Sequence, residues 1–345
     1  LTLIHPIAAG DMYGIKGVDH LAHKGMIRRI VAGSYPSGSS SLPMPKIWER
    51  ILENDVEAYN VPSGILCDMH HEVAAKRPGV MTKVGLGTFV DPDLDGCAMN
   101  SAARRSPIVE KRDFEGEKWL FFSNIIPDVA VIRATSADEK GNLSFEHEGA
   151  LLGAYEQALA ARNSGGKVIA QVKRVVKAGT LPTQSVRIPG NLVDFVVVDP
   201  DQMQTTQTPY DPAISGEVTK PSDSVEGMGW GIEKVIARRA ALELQGGMAA
   251  NLGFGICANI PRILHEEGKA EEVTWLLEQG PVGGIPLLGF AFGCAMNADA
   301  IVSSYSQFTY FQGGGFDVTF LSFMQINKDG SVNVSRLNAK PYLTA

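Results

Sequence analysis

Apolar positions along the chain fall into short runs separated by polar breaks rich in glycine and proline. Residues 1–4, Leu1-Thr2-Leu3-Ile4, form an apolar strand-like run. His20, Leu21, Met26, Ile27 and Ile30 recur near helical spacing and predict a helix over 19–32. A Ser/Pro/Gly loop follows over 34–45, then a helix over 45–54, a strand over 56–61 and a helix over 65–76 that Pro78-Gly79 stops. The unbroken run Val129-Ala130-Val131-Ile132 reads as a strand covered on both faces of a parallel sheet. An Ala-rich helix is predicted over 151–163, closed by Ser164-Gly165-Gly166, with strands over 168–176 and 193–198. Helical and strand patterns alternate throughout, which predicts an α/β fold.

The segment 199–231 is rich in Gln, Thr, Pro, Asp, Ser and Gly and is expected to link two better-ordered regions. A second α/β region starts near Ile232, with a helix over 233–244 whose Arg238-Arg239 faces outward. A weak repeat joins the two regions. Asp138-Glu139-Lys140-Gly141-Asn142-Leu143-Ser144-Phe145 resembles Asn327-Lys328-Asp329-Gly330-Ser331-Val332-Asn333-Val334, each a polar turn with a central glycine followed by a strand. Chance recurrence of a hairpin turn and fusion of two related halves both account for it.

A length of 345 residues suits about two domains. The 38 acidic residues against 31 basic ones, net −7, argue against nucleic-acid binding. Glycine, at 37 residues, exceeds the roughly 7% of an average protein, in keeping with many tight turns. The four cysteines, Cys67, Cys97, Cys257 and Cys294, form no CxxC pair, so neither a disulfide framework nor a zinc ribbon is expected. No secretory signal is read at the start. Residues 279–298 are uncharged, but two prolines and five glycines interrupt them, and buried turns and strands are expected in place of a membrane span. His70-His71 and Glu146-His147-Glu148 lack partners at ligand spacing, so no metal site is expected.

Three glycine-rich segments in the second half could carry chemistry: Asn251-Leu252-Gly253-Phe254-Gly255, Glu278-Gln279-Gly280-Pro281-Val282-Gly283-Gly284 and Gly313-Gly314-Gly315. The first holds GxG without the rest of a dinucleotide fingerprint, and none has the Lys and Ser/Thr of a phosphate loop, so each alone reads first as a tight turn. Glu278 ends an apolar run and precedes the long uncharged stretch. It is either a surface glutamate at an element end or a desolvated carboxylate acting as base or nucleophile, with glycines letting backbone N–H groups approach an oxyanion.

Taken together and in order, these motifs resemble the family I CoA-transferases of the single-chain acetate/propionate/3-oxoacid type. The resemblance rests on Glu278 to Gly284 with Ile285-Pro286, on Asn251 to Gly255, and on Gln307-Phe308-Thr309-Tyr310-Phe311-Gln312 running into Gly313 to Asp317. In the first half it rests on Lys83 to Pro92, Ala137 to Asn142 and Asn163 to Lys167. It covers essentially the whole chain. It implies two related open α/β domains, over 1–210 and 232–345 with a linker over 211–231, the second carrying the catalytic glutamate. It further implies a strand before Leu1 and a continuation beyond Ala345.

The implied reaction is ping-pong transfer of CoA from an acyl-CoA to a short-chain or 3-oxo carboxylic acid, through a glutamyl-CoA thioester on Glu278. Asn251 and Ser63 would orient the site, and a backbone N–H of Gly313, Gly314 or Gly315 would hold the oxyanion. Gly253, Gly255, Gly280, Gly283 and Gly284 would line the CoA or acyl pocket, and Tyr310, Phe311 and Phe316 could serve either an acyl chain or the core. CoA thioester is substrate, and no bound cofactor or metal is implied. A cytoplasmic homodimer or homotetramer, with no membrane partner, completes the expectation. Two departures from the family pattern stand out. Ser63, in Val61-Pro62-Ser63-Gly64, replaces a usual glutamine donor, and Asp91 to Asn100 lacks a glycine and a basic residue. The alternatives are an acyl-CoA hydrolase on the same scaffold or a catalytically inactive CoA-binding fragment. A nicotinamide dehydrogenase lacks its fingerprint.

Overall fold

The computed structural model describes residues 1–7, 17–35, 44–221 and 224–336. The chain divides into two compact units, Leu1–Ile125 with Phe323–Ala345, and Ile126–Ser322.

The first unit is built on a parallel sheet of β1 (Thr2–His5), β2 (Arg29–Ala32) and β3 (Glu57–Asn60), in that order. Ile30, Ala32 and Ala58 point into a core completed by Ile47, Trp48 and Ile51 of α1 (Lys46–Leu52). The helix predicted over 19–32 is not formed. Val18–His20 makes a single 3-10 turn, Gly25 adopts a φ of +81°, and the β-branched Ile30-Val31 pair enters the sheet between β1 and β3. Asp19 instead caps α1, where Pro45 has no side chain to do so: its carboxylate accepts from the N–H groups of Lys46 (2.8 Å) and Ile47 (3.0 Å). The loop expected over 34–45 lies mostly outside the described residues. The helix α2 (Ser63–Ala74) follows β3 as predicted. An antiparallel sheet of β4 (Gly79–Thr82), β5 (Val109–Phe114) and β6 (Glu117–Ser123), ordered β4-β6-β5, and the short α3 (Ser101–Arg104) complete the unit's first part.

In the second unit β7 (Val129–Arg133), β10 (Lys167–Val172) and β13 (Phe195–Val198) form a parallel sheet ordered β13-β10-β7. Through Ala158 and Ala161, α4 (Ala154–Asn163) joins one core with Ala130, Ile132, Val168 and Ala170. The expectation of burial on both faces fails for β7. Alternation along the strand turns Ala130 and Ile132 to the core, while Val129 and Val131 are 50% and 71% exposed. The predicted strand 168–176 is broken into β10 and β11 (Arg174–Val176), the latter beside β8 (Ser136–Asp138), β9 (Leu143–Ser144) and β12 (Val186–Ile188).

Residues 199–221 contain no helix or strand but are anchored at a few buried positions, Gln202, Gln204, Thr205, Ala213 and Ile214. The buried Gln202 amide donates to the Ala134 carbonyl (2.9 Å) and to Glu148 (3.1 Å), and the Asn297 N–H donates to the Ala213 carbonyl (2.9 Å). Beyond them, α5 (Ile232–Ala241) and α6 (Ile260–Glu266) pack through Ala237, Ile260 and Ile263 on a five-stranded sheet. That sheet contains β14 (Ala249–Leu252), β15 (Thr274–Leu276), β16 (Pro281–Val282), β19 (Ala300–Ile301) and β20 (Val318–Phe320) in the order β19-β16-β15-β14-β20. The uncharged stretch 279–298 becomes turns and short strands, including β17 (Ile285–Pro286) paired with β18 (Ala295–Met296). Among the described residues no helix is long and apolar enough to cross a membrane. The helix α7 (Ser304–Gln312) leads into β20.

The hairpin of β21 (Gln325–Ile326) and β22 (Val332–Asn333) belongs to the first unit. Its turn reproduces the one between β8 and β9. Asp138 and Asn327 each accept from the N–H groups two and four residues on, at 2.9–3.0 Å, and Gly141 and Gly330 share a φ of +83°. The sequence repeat is therefore a repeat of hydrogen-bonded turn geometry.

Candidate active site

Glu278 occupies the turn that carries the chain from β15 into the antiparallel β16. The Gly280 N–H donates to the Leu277 carbonyl (3.0 Å) and the Leu277 N–H to the Pro281 carbonyl (3.1 Å), placing Glu278 at the second position of a tight turn. Gly280 closes it at a φ of +127°, and a Cβ there would overlap the Val302 carbonyl oxygen. This turn lies past the carboxyl end of β15, which runs parallel to β14. Carboxyl ends of parallel strands are where open α/β sheets form ligand crevices.

Two buried side-chain amides hold the backbone just before the glutamate. Asn251, on β14, donates to the Leu276 carbonyl (3.1 Å) and accepts from the Thr319 hydroxyl of β20 (2.8 Å). Gln307, on α7, donates to the Leu277 carbonyl (3.1 Å). The Val302 N–H donates to the Gly280 carbonyl (3.0 Å) from the other side. Glu278 is thus fixed by its neighbours' backbone while its own carboxylate has one side-chain donor, the Gln279 amide at a long 3.4 Å. Burial pushes the carboxyl from 4.5 up to about 7, against the opposing pull of that amide.

The other expected site residues are distributed as follows. Gly253 and Gly255 lie in the loop after β14, with the Gly253 N–H donating to the Phe320 carbonyl (2.9 Å). Gly283 and Gly284 connect β16 to β17, and the Gly283 N–H donates to the Trp275 carbonyl (2.7 Å). Gly313, Gly314 and Gly315 end α7. Their N–H groups donate to the carbonyls of Thr309, Phe311 and Tyr310 at 2.9–3.1 Å, so all three expected oxyanion donors are used in the helix cap. Phe311 stacks edge-on against Phe316 (5.3 Å between centroids). Ser63, in the first unit, begins α2 and donates its hydroxyl to the Pro6 carbonyl (2.6 Å).

Cysteine chemistry finds no support. Burial raises the thiols of Cys97 and Cys257, and pushes Cys294 up to about 11. His70 is buried and lowered to about 4, hence neutral. Among the described residues no group of three or more His, Cys, Asp or Glu could hold a metal ion. Sequence reasoning missed Gln307 and Thr319. Gln307 stood within a quoted motif, but nothing in its spacing assigned it a role.

The family model described as "Coenzyme A transferase" matches residues 5–199. The chain is 38% identical to the acetate CoA-transferase YdiF of Escherichia coli (strain K12), over 99% of this chain and 63% of the relative. It is 39% identical to a caffeate CoA-transferase of Acetobacterium woodii, over 97% of this chain and 63% of the relative. The crystal structure of an acyl-CoA transferase (YdiF) apoenzyme from Escherichia coli O157:H7 superposes with a TM-score of 0.89 at 37% identity, covering 99% of this chain and 63% of that one. A thioester complex of that enzyme with CoA superposes with a TM-score of 0.87 at 37% identity, covering 99% and 66%. The chain spans about 63% of the length of the curated relatives it matches.

Proposed function

The chain belongs to the coenzyme A transferase family, and from that premise we propose that it moves CoA from an acyl-CoA to a free carboxylic acid through Glu278. The observation that carries this reading is a carboxyl raised to about 7 by burial, at a turn whose two preceding carbonyls are pinned by Asn251 and Gln307. A carboxylate is a weak nucleophile. Desolvation and fixed orientation are what a protein can add to make it attack. The reading also draws on the relatives named for acetate and caffeate CoA transfer and on the CoA thioester complex of one of them.

In the proposed sequence the Glu278 carboxylate attacks the thioester carbonyl and CoA leaves as thiolate, forming an acyl-glutamyl anhydride. The thiolate attacks the glutamyl carbonyl of that anhydride and expels the first acid as carboxylate. A second carboxylate then attacks the glutamyl-CoA thioester and expels CoA thiolate, forming a second anhydride, and the thiolate attacks its new acyl carbonyl to give the product acyl-CoA and free the Glu278 carboxylate. Each attack generates an oxyanion that needs a preset donor. The Gly313–Gly315 segment stays the candidate, with one of its cap hydrogen bonds shared in the process.

We extend the proposal to two fused halves, 1–210 and 232–345. The family match ending at residue 199 and the shared turn of Asp138 and Asn327 support this. A reducing cytoplasmic setting suits four free cysteines, and a homo-oligomer is retained from the family resemblance. The test is intact-protein mass spectrometry after mixing with acyl-CoA, then borohydride reduction and peptide mapping. A CoA adduct on Glu278, absent in Glu278→Ala, is the expected result. Free CoA released without adduct or acceptor would replace transfer by hydrolysis.

A further inference from the structure

Resting on the transferase reading, we propose that Phe254, Phe290 and Phe292 wall the acyl side of the site and select a bulky apolar acyl group, aryl or medium-chain alkyl, over acetyl. Asn251 and Leu276 face each other across the parallel strands β14 and β15. Phe254 lies three residues past the first and Glu278 two past the second, so their loops leave the same end of the sheet side by side. Contact closes the link. Gly293 packs against the Gln279 side chain so closely that a Cβ there would come within 2.8 Å of Gln279 Cγ and Cδ. Phe292 is thus one residue from the wall of the side chain adjoining Glu278.

The three rings form a connected surface. The Phe254 centroid is 5.9 Å from that of Phe292, nearly perpendicular at 82°, and 6.3 Å from that of Phe290 at 39°. Phe292 is partly buried against the hydrophobic core of the five-stranded sheet, whereas Phe254 is 45% exposed. A large exposed ring on the loop adjacent to that of Glu278 is apolar area that a ligand can cover. Ring pairs at these separations prefer edge-on or offset contact, and an aryl or alkyl group can supply it. A single methyl group cannot cover the Phe254 face. The Gln279 side-chain oxygen, buried without a hydrogen-bond partner, marks the same place as one where a ligand completes the surroundings.

The experiment compares acetyl-CoA, hexanoyl-CoA and 3-phenylpropionyl-CoA as donors to the full chain, reading the second-order rate of CoA-adduct formation at Glu278. The expected result is a preference of about tenfold or more for at least one bulky donor over acetyl-CoA. The hexanoyl and phenylpropionyl arms separate an alkyl from an aryl selector. Phe254→Ala is expected to erase most of that preference, and Phe254→Leu, which keeps bulk without the ring, to erase the aryl part. Equal or faster reaction of acetyl-CoA overturns the inference while leaving transfer intact. So does a preference that survives both substitutions. No adduct with any donor overturns the transferase reading and the inference with it.

Discussion

Replacing Glu278 by Gln removes the charge but keeps the shape and an acceptor for the Gln279 amide. In the folded chain this carboxyl titrates at about 7, against 4.5 ordinarily, because burial strips water from its ionised form. The folded state therefore binds this proton more tightly than the unfolded state. Its stability penalty is absent well below 4.5, grows as pH rises toward about 7, and is complete above that. At about 1.4 kcal/mol per tenfold change in proton affinity, the full penalty is about 3 kcal/mol. Most of it is still missing at pH 5. The Glu278→Gln chain should accordingly be more stable than the parent at pH 8, and the gap between the two should widen by about 2–3 kcal/mol from pH 5 to pH 8. Urea unfolding of both chains at both pH values measures it, and comparing the two gaps cancels any pH-independent effect of the substitution. An offset of the same size at pH 5 and pH 8 would falsify the claim that the carboxylate is desolvated, and with it the physical ground for its nucleophilicity.

Because only the ionised carboxylate attacks, the rate of adduct formation from acyl-CoA should rise with pH through an apparent midpoint near 7; a flat profile between pH 5.5 and 8.5 would contradict that. Gln307→Leu leaves the Leu277 carbonyl with only the Gly280 N–H, and should slow adduct formation by about 10–100-fold with little change in the acyl-CoA concentration giving half-maximal rate. A purely structural role would move both together or neither. Gly315→Ala drives a methyl group into the Tyr310 ring, and because that ring is 47% exposed and can give way in part, stability should fall by about 1 kcal/mol in thermal or urea unfolding; an unchanged midpoint would contradict this.

The fold was readable where local pattern and tertiary demand agreed. Pro45 followed by amphipathic sequence gave α1, the segment from Ile65 gave most of α2, and the apolar run of 193–198 gave β13. It was unreadable where a residue's partner lay far along the chain. Asp19 sits in a helix-like pattern, but its carboxylate caps a helix 27 residues away, and the sheet claims Ile30 and Val31. Val129 and Val131 show the opposite error. An unbroken apolar run carries no record of whether a second layer covers it, and only the three-dimensional arrangement exposes one face.

The site divides along the same line. Glu278 could be singled out because its chemistry is local: a carboxylate followed by a glycine turn inside uncharged sequence. What holds the backbone beside that carboxylate is not local. Asn251 on β14 and Gln307 on α7 each donate to a backbone carbonyl, and Thr319 on β20 donates to the Asn251 side chain; bonds of this kind leave no trace in side-chain spacing. The Gly313–Gly315 run illustrates the converse. Its composition suggested free backbone donors, yet a helix ending there consumes its own N–H groups, so the glycines serve the C-cap before any substrate. A glycine motif thus fixes where the backbone can approach a ligand, while the hydrogen-bond inventory decides whether it has a donor left to offer.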